Sequence, residues 1–377
     1  MDLGFNQEQE MLRESARGFL EKECPKSLVR QMEKDEKGYL PELWQKIADL
    51  GWLGLIIPEE YGGSGQNFLD LCILLEEMGR ALLPSPFFST VMLGALPILA
   101  AGNQEQKREF LPKIASGELI FTMALMEPSA GYDANGIDLE ARLDKDEYIL
   151  QGTKLFVPYA QVADYIICVT RTSNGPTPEE GITLFLIEGG SPGIKKSLID
   201  TVADDKLYEV VFENVGVPEK NVLGDVNRGW DVMKTILEKA AAADCALMMG
   251  GAQQVLEMSV EYAKTRIQFD RPIGSFQVCA HRTADQWFDS ETAKYITYQA
   301  AWHISQDIPA TKEVSLAKAW VNEAYRRVCT EAHQTHGGLG YTADHDLGLY
   351  TRRAKAAELA FGDTDFHLET VAQELGL

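Results

Sequence analysis

By type alone a carboxylate can act as a base, a guanidinium can hold phosphate and paired glycines can admit a ligand; Glu238, Arg266 and Gly337-Gly338 are one such set among many in this chain. Glu238 sits in ILEKA, inside a stretch that reads as helix. In a dry pocket, burial would raise such a carboxyl toward neutrality and make it a base. On a wetted helix face it would instead pair with Lys234, four residues back. Arg266, in RIQF, carries a planar fork that matches phosphate oxygens. Without further context it reads as half of a surface ion pair. Gly337-Gly338 let a ligand approach the backbone closely, or simply stop a helix. Six cysteines, Cys24, Cys72, Cys168, Cys245, Cys279 and Cys329, lie far apart. They form no CxxC pair and offer no zinc spacing, so they read as reduced thiols and no metal is expected.

Charge narrows the partners. The 377 residues carry 57 acidic and 35 basic side chains, a net charge of -22. That field repels a phosphate backbone and an anionic membrane, so neither is an expected partner. An anionic ligand would need a local basic site against the global field. The chain opens on polar MDLGFNQEQE, with no signal-peptide pattern, and no apolar run reaches membrane-spanning length. The expectation is a cytoplasmic globular protein of two or three domains, or one composite fold.

The elements that must position these groups can be read from periodicity. Asn6 with Gln9 makes a capping box, followed by apolar residues at helical spacing. Pro41 suits a first helical turn. PEEYGGSGQN is a loop, a helix is expected from about Phe68 to Leu82, and Asn103 caps another that stops at Gly117. Near Glu118 the character changes to short β-branched and aromatic runs: LIFTMALM, EYILQGTKLFV, DYIICVT, GITLFLI and LYEVVFENV. Their turn-separated spacing predicts an antiparallel sandwich or barrel. Helix returns at Gly229, where an alanine-rich stretch predicts a long helix with close neighbours. Three more helices are expected at about 276–305, 311–336 and 346–360.

Specific strings stand on this frame. ALMEPSAGYD, QGTKLFVPYAQVADYIICV, FENVGVPEKNVLG with RGW, YAKTRIQFDRPIGSFQ, QTHGGLGYT and ELAFGDTDFHLE follow in order. Together they resemble the acyl-CoA dehydrogenase family over essentially the whole chain. The resemblance implies an α+β fold: an N-terminal helical domain (1–117), a middle antiparallel β-barrel or sandwich domain (118–226) and a C-terminal four-helix bundle (227–377). It also implies FAD, a CoA thioester substrate and a tetramer. The flavin would lie between the β domain and the C-terminal helices, with a neighbouring subunit completing its site.

Carried over residue by residue, the resemblance is uneven. The family's TEPxAGSD loop gives amides and hydroxyls to the flavin ring and pyrophosphate. Here Gly131 and Asp133 match, but Met126 replaces the threonine and Tyr132 the serine, so two usual hydroxyl donors are missing. The family's tryptophan–isoleucine–threonine or –serine string over the flavin is Phe156-Val157-Pro158 here. Pro158 offers neither hydroxyl nor backbone N–H, although a branch of the family carries this string. Arg266, with Phe269 in RxQF, corresponds to the arginine that pairs with the flavin pyrophosphate across the subunit interface. Gln277, Gln334, Gly337 and Gly338 fit dinucleotide-binding positions. Thr364 matches the threonine of the family's C-terminal tyrosine–glutamate–glycine–threonine string.

The reaction implied needs a carboxylate. It removes the α proton of the thioester on one face while the flavin accepts a hydride from the β carbon on the other. The family's C-terminal glutamate falls on Gly362, with Asp363 one residue off. A minority place the glutamate on the first long C-terminal helix, before an arginine, and Glu238, before Lys239, falls there. The expectation is FAD-dependent α,β-dehydrogenation of a bulky, branched or cyclic acyl-CoA with Glu238 as base. Electrons would pass to an electron-transfer flavoprotein, in a homotetramer or a heterotetramer with a second such subunit. The alternatives are a low-activity partner subunit and a family scaffold turned to a non-redox reaction on a CoA ester.

Overall fold

The structure is a computed structural model that describes residues 4–129 and 131–377. Ala130, inside the MEPSAGYD string, lies outside the described residues. In chain order the helices are α1 (Gln7–Glu23), α2 (Lys26–Lys34), α3 (Pro41–Asp49), α4 (Phe68–Ala81), α5 (Phe87–Thr90), α6 (Leu96–Ala101), α7 (Gln104–Ala115), α8 (Gly229–Thr265), α9 (Gln277–Ser305), α10 (Thr311–His336), α11 (Leu347–Glu358) and α12 (Thr364–Glu374). The strands are β1 (Phe121–Ala124), β2 (Glu140–Asp144), β3 (Glu147–Pro158), β4 (Tyr165–Arg171), β5 (Ile182–Glu188), β6 (Ile194–Leu198), β7 (Leu207–Pro218), β8 (Val222–Leu223), β9 (Ile267–Gln268) and β10 (Arg271–Pro272). Two compact units form. The helical unit takes the chain up to Arg30, Asn67–Leu83 and Glu238–Leu377; the sheet unit takes Gln31–Gln66 and Pro84–Leu237.

In the helical unit, small residues set how closely helices approach. A Cβ on Gly79 of α4 would lie 2.0 Å from the Leu247 carbonyl oxygen, and one on Gly250 of α8 1.9 Å from that of Glu76. Two helices therefore meet backbone to backbone, and the buried alanines 240–243 extend the seam. Asp70 closes a capping box with Asn67 and also accepts from Gln9 Nε2 at 2.8 Å, tying α1 to α4. On the facing sides of α9 and α10, Asp289 receives a bidentate bond from Arg327 at 2.7 and 3.0 Å.

In the sheet unit, eight strands run in the order β6-β7-β3-β2-β4-β5-β8, with β1 beside β4. β4 and β5 are buried almost residue after residue, as strands covered on both faces must be. β7 alternates through Tyr208, Val210 and Phe212, then slips one residue to resume at Val215 and Val217. Phe121 and Tyr165 stack, and Phe110 of α7 meets both edge-on, with ring centroids 4.9–5.5 Å apart. The pairing departs from a purely antiparallel pattern, since β1 runs parallel to β4 and β2 meets β4 in parallel at Glu140↔Arg171.

Local signals mark the helix starts. The Asn6–Gln9 box caps α1, Asn103 with Gln106 caps α7, and Pro41 stands in the first turn of α3. The C-terminal region carries one helix more than four, because α12 follows α11. No helix of the described residues is long and apolar enough to cross a membrane.

Candidate active site

The sheet unit holds one group of the residues singled out by sequence. Met126 follows β1, and its carbonyl accepts from Leu155 N at 2.8 Å, which docks the loop root beside Phe156-Val157-Pro158. β3 bulges between Lys154 and Val157. Bulges re-aim side chains, and here Phe156 takes a left-handed φ of +54° and is partly exposed, while Val157 is buried. The Pro158 carbonyl accepts from Thr122 Oγ1. Asp133 spends its carboxylate on Asn135, accepting from the backbone N–H and the side-chain amide at 3.0 Å each.

Two residues passed over by sequence reasoning hold this loop. Glu127 and Lys154 form a buried pair at 2.6 Å. Glu127 also accepts from Asp138 N at 3.0 Å and Leu139 N at 2.9 Å, and Lys154 donates to Leu125 O at 2.9 Å. Burial pushes the Lys154 ammonium below its ordinary range, against the pull of Cys168 and Glu127. The available cue was a lysine on the same strand phase as the apolar Tyr148 and Leu150. Arg171 adds a second brace, donating to Ile137, Ala134, Glu180 and Pro178 carbonyls at 2.7–3.0 Å.

The helical unit holds the other group. Arg266 follows α8 directly. It is exposed, and its guanidinium makes no hydrogen bond or ion pair among the described residues. The β9–β10 hairpin turns through Phe269 and Asp270, both left-handed at φ +53° and +62°, which is the pattern of a type I′ turn. Phe269 is thereby presented at the tip, 86% exposed. Gln277 begins α9 and Gln334 lies near the end of α10, both exposed. Tyr262 stacks on His336 at 4.6 Å, bringing the end of α8 to the end of α10. There Gly337 turns at φ +60°, and a Cβ on Gly337 or Gly338 would meet nothing within 4 Å. Burial, reinforced by neighbouring imidazoles, holds His333 and His336 below the usual histidine range.

Glu238 is half-buried on α8, and its Oε2 accepts from Thr311 Oγ1, in the first turn of α10, at 2.8 Å. Gly362 presents no side chain. Asp363 caps α12, accepting from Phe366 N at 2.9 Å. The Thr364 Oγ1 atom is buried without a hydrogen-bond partner among the described residues. Behind this corner Lys318 donates to Asn322 Oδ1 at 2.8 Å and Ala357 O at 2.7 Å. It also lies 2.8 Å from Asp244 Oδ2, an ion pair without hydrogen-bond geometry. Burial raises the Asp244 carboxyl above its ordinary range, and Lys318 opposes the rise.

Comparison with known proteins gives this arrangement its class. The chain matches the N-terminal domain of acyl-CoA dehydrogenase over residues 6–118, the middle domain over 122–215 and the C-terminal domain over 227–376. It is 32% identical to a probable acyl-CoA dehydrogenase, YngJ, of Bacillus subtilis (strain 168), over the full length of both chains. It is 33% identical to CarC, a subunit of the caffeyl-CoA reductase–Etf complex of Acetobacterium woodii, covering 91% of each. The solved butyryl-CoA dehydrogenase of Megasphaera elsdenii superposes with a TM-score of 0.92 at 30% identity over all of both chains. The chain belongs to the acyl-CoA dehydrogenase family. It is an FAD-dependent oxidoreductase with the family's three-part fold of N-terminal helices, a middle sheet and C-terminal helices. The residues present fit that cofactor unevenly. The unpaired Arg266 fork, the open Gly337-Gly338 backbone and the orphaned Thr364 hydroxyl suit phosphate and polar contacts. Met126 and Pro158 add no side-chain donor.

Proposed function

We propose that this protein dehydrogenates the α,β bond of a bulky, branched or cyclic acyl-CoA, with Glu238 as base, and passes the electrons to an electron-transfer flavoprotein in the cytoplasm. We keep 1–117, 118–226 and 227–377 as its domains. Arg266, Phe269, Gln277, Gln334, Gly337, Gly338 and Thr364 would hold FAD from the helices. Met126, Gly131, Tyr132, Asp133 and Phe156-Val157-Pro158 would do so from the sheet unit. FAD, when bound, supplies the acceptor for a hydride from the β carbon.

One juxtaposition carries the choice of base. Glu238 bonds to Thr311, and His367, beside the 361–363 corner, contacts Ser315 at 3.3 Å. Thr311 and Ser315 are four residues apart, on one face of α10. The α8 carboxylate and the corner that bears the family's other glutamate thus flank the same helix end. The Thr311 hydroxyl orients Glu238, whose carboxylate would take the α proton. The acceptor reading is supported by CarC, which belongs to a complex with Etf. Assembly is supported by exposed Val278, Trp287, Phe288 and Tyr295 on α9. Beside them lies an apolar groove of about 640 Å³ lined by Leu256, Val260, Ala263, Pro272, Ala284 and Trp287. A homotetramer or a heterotetramer with a second acyl-CoA dehydrogenase-like subunit would cover such a face.

A second reading, the low-activity partner subunit, draws on the outward-facing Arg266 and Phe269 and the base-less corner. The chain purified alone decides between them. Yellow protein bleached anaerobically by a saturated acyl-CoA is the expected result. Colourless protein that gains flavin only beside a co-expressed neighbour would establish the partner role. Flavin that no thioester reduces would point to non-redox chemistry.

A further inference from the structure

The corner between α11 and α12 is the place where many relatives would carry a glutamate, and its backbone here has a form only glycine suits. Gly362 sits at φ +103°, next to Phe361 at φ +55°. A Cβ built on Gly362 points inward. It would lie 2.6 Å from His367 Nε2, 2.6 Å from Phe366 Cδ1 and 3.0 Å from His367 Cδ2. The backbone that carries both neighbours is fixed. Asp363 fixes the first turn of α12 through its bond to Phe366 N, and His367 N donates to the Asp363 carbonyl at 3.2 Å. The His367 ring is held at both nitrogens. Nε2–H donates to the Phe361 carbonyl at 3.0 Å, and Nδ1, 3.3 Å from Ser315 Oγ, accepts from that hydroxyl. This is the pattern of a neutral imidazole with one donor and one acceptor. Burial favours that form and pushes the ring pKa down to about 4.

We propose that His367 closes position 362 to any side chain, so that this position cannot supply a base. The missing glutamate is then a property of the backbone and its packing, beyond the identity of one residue. A glutamate restored at 362 would enter a filled space on a strained backbone rather than regain the relatives' geometry. The inference rests on the reading of the chain as an acyl-CoA dehydrogenase whose base stands on α8. It adds that the α8 carboxylate, or one from another chain, has no substitute at position 362.

The test uses the FAD-loaded protein with butyryl-CoA, isobutyryl-CoA and cyclohexanecarbonyl-CoA as reductants. Glu238→Gln is expected to slow flavin reduction by about 100-fold or more. Adding Gly362→Glu is expected to restore less than about threefold of that loss, and recovery to within about tenfold of the native rate would overturn the closure. If Glu238→Gln alone keeps the native rate, the α8 base fails, and the closure is judged separately by thermal unfolding. Gly362→Ala should lower Tm by several degrees in the native background and by less than half as much beside His367→Ala. Folding of Gly362→Ala only beside His367→Ala would support the closure equally. Equal losses in both backgrounds, or failure to fold in both, would overturn it.

Discussion

Each unit buries one lysine beside one carboxylate, and the two pairs are built in opposite ways. In the sheet unit the anion is the better-satisfied partner. Glu127 receives Lys154, Asp138 N and Leu139 N. In the helical unit the cation is. Lys318 reaches Asp244, Asn322 and the Ala357 carbonyl, while Asp244 faces Lys318 without hydrogen-bond geometry. Buried charge is costly and is offset only by full hydrogen bonding. The difference shows what each pair secures. Glu127 gathers backbone N–H groups and so fixes the loop from Met126 to Leu139. Lys318 holds the last turn of α11 and so fixes the corner before α12, with Asp244 as its counter-ion.

The sharpest way to break this comparison is at Glu127. Glu127→Ala strands the Lys154 ammonium and two backbone donors, and should cost about 3–5 kcal/mol in urea unfolding. It should also weaken FAD binding by freeing the loop. A loss as small as that of an exposed glutamate would remove Glu127 from its assigned role.

The corner predicts a pH effect of intermediate size. His367 has a folded pKa of about 4, below the ordinary 6.5. The unfolded chain therefore binds the proton more readily between those values. Stability from the neutral ring is full above 6.5 and is lost as pH falls toward 4, by about 3 kcal/mol. His367→Gln should flatten that part of the stability–pH curve relative to the native protein. Parallel curves would show that His367 is not held neutral.

The smallest effect is expected at Asp244. Asp244→Asn takes away the counter-ion of the buried Lys318 but leaves it two neutral acceptors and puts an amide in place of a carboxyl raised by burial, so the cost should be about 1–2 kcal/mol, below that at Glu127. A loss equal to that at Glu127 would erase the contrast between the pairs.

Much of the fold was legible because its signals are local. Asn6 with Gln9, Asn103 with Gln106, and Pro41 act within one turn, and the long α8 follows from the alanine-rich run after Gly229. What was missed depends on distant partners. Lys154 looks like a defect in a strand until Glu127, 27 residues away, is placed beside it. β2 and β6 expose most of their residues and carry little apolar alternation to read. The Phe269–Asp270 turn lacks the glycine or asparagine that usually marks two left-handed residues. α12 was hidden because 361–364 was read for its chemistry, although Asp363 is an ordinary N-cap. At the site, residue types could show that Gly362 has no carboxylate. They could not show that His367 fills the space behind it.

The role of Glu238 is tested directly by anaerobic flavin reduction by a saturated acyl-CoA in native protein and Glu238→Gln, with FAD content checked in both. Equal FAD content, rapid bleaching of the native flavin and loss of bleaching in the variant are expected. A variant that holds FAD and bleaches at the native rate would contradict that role.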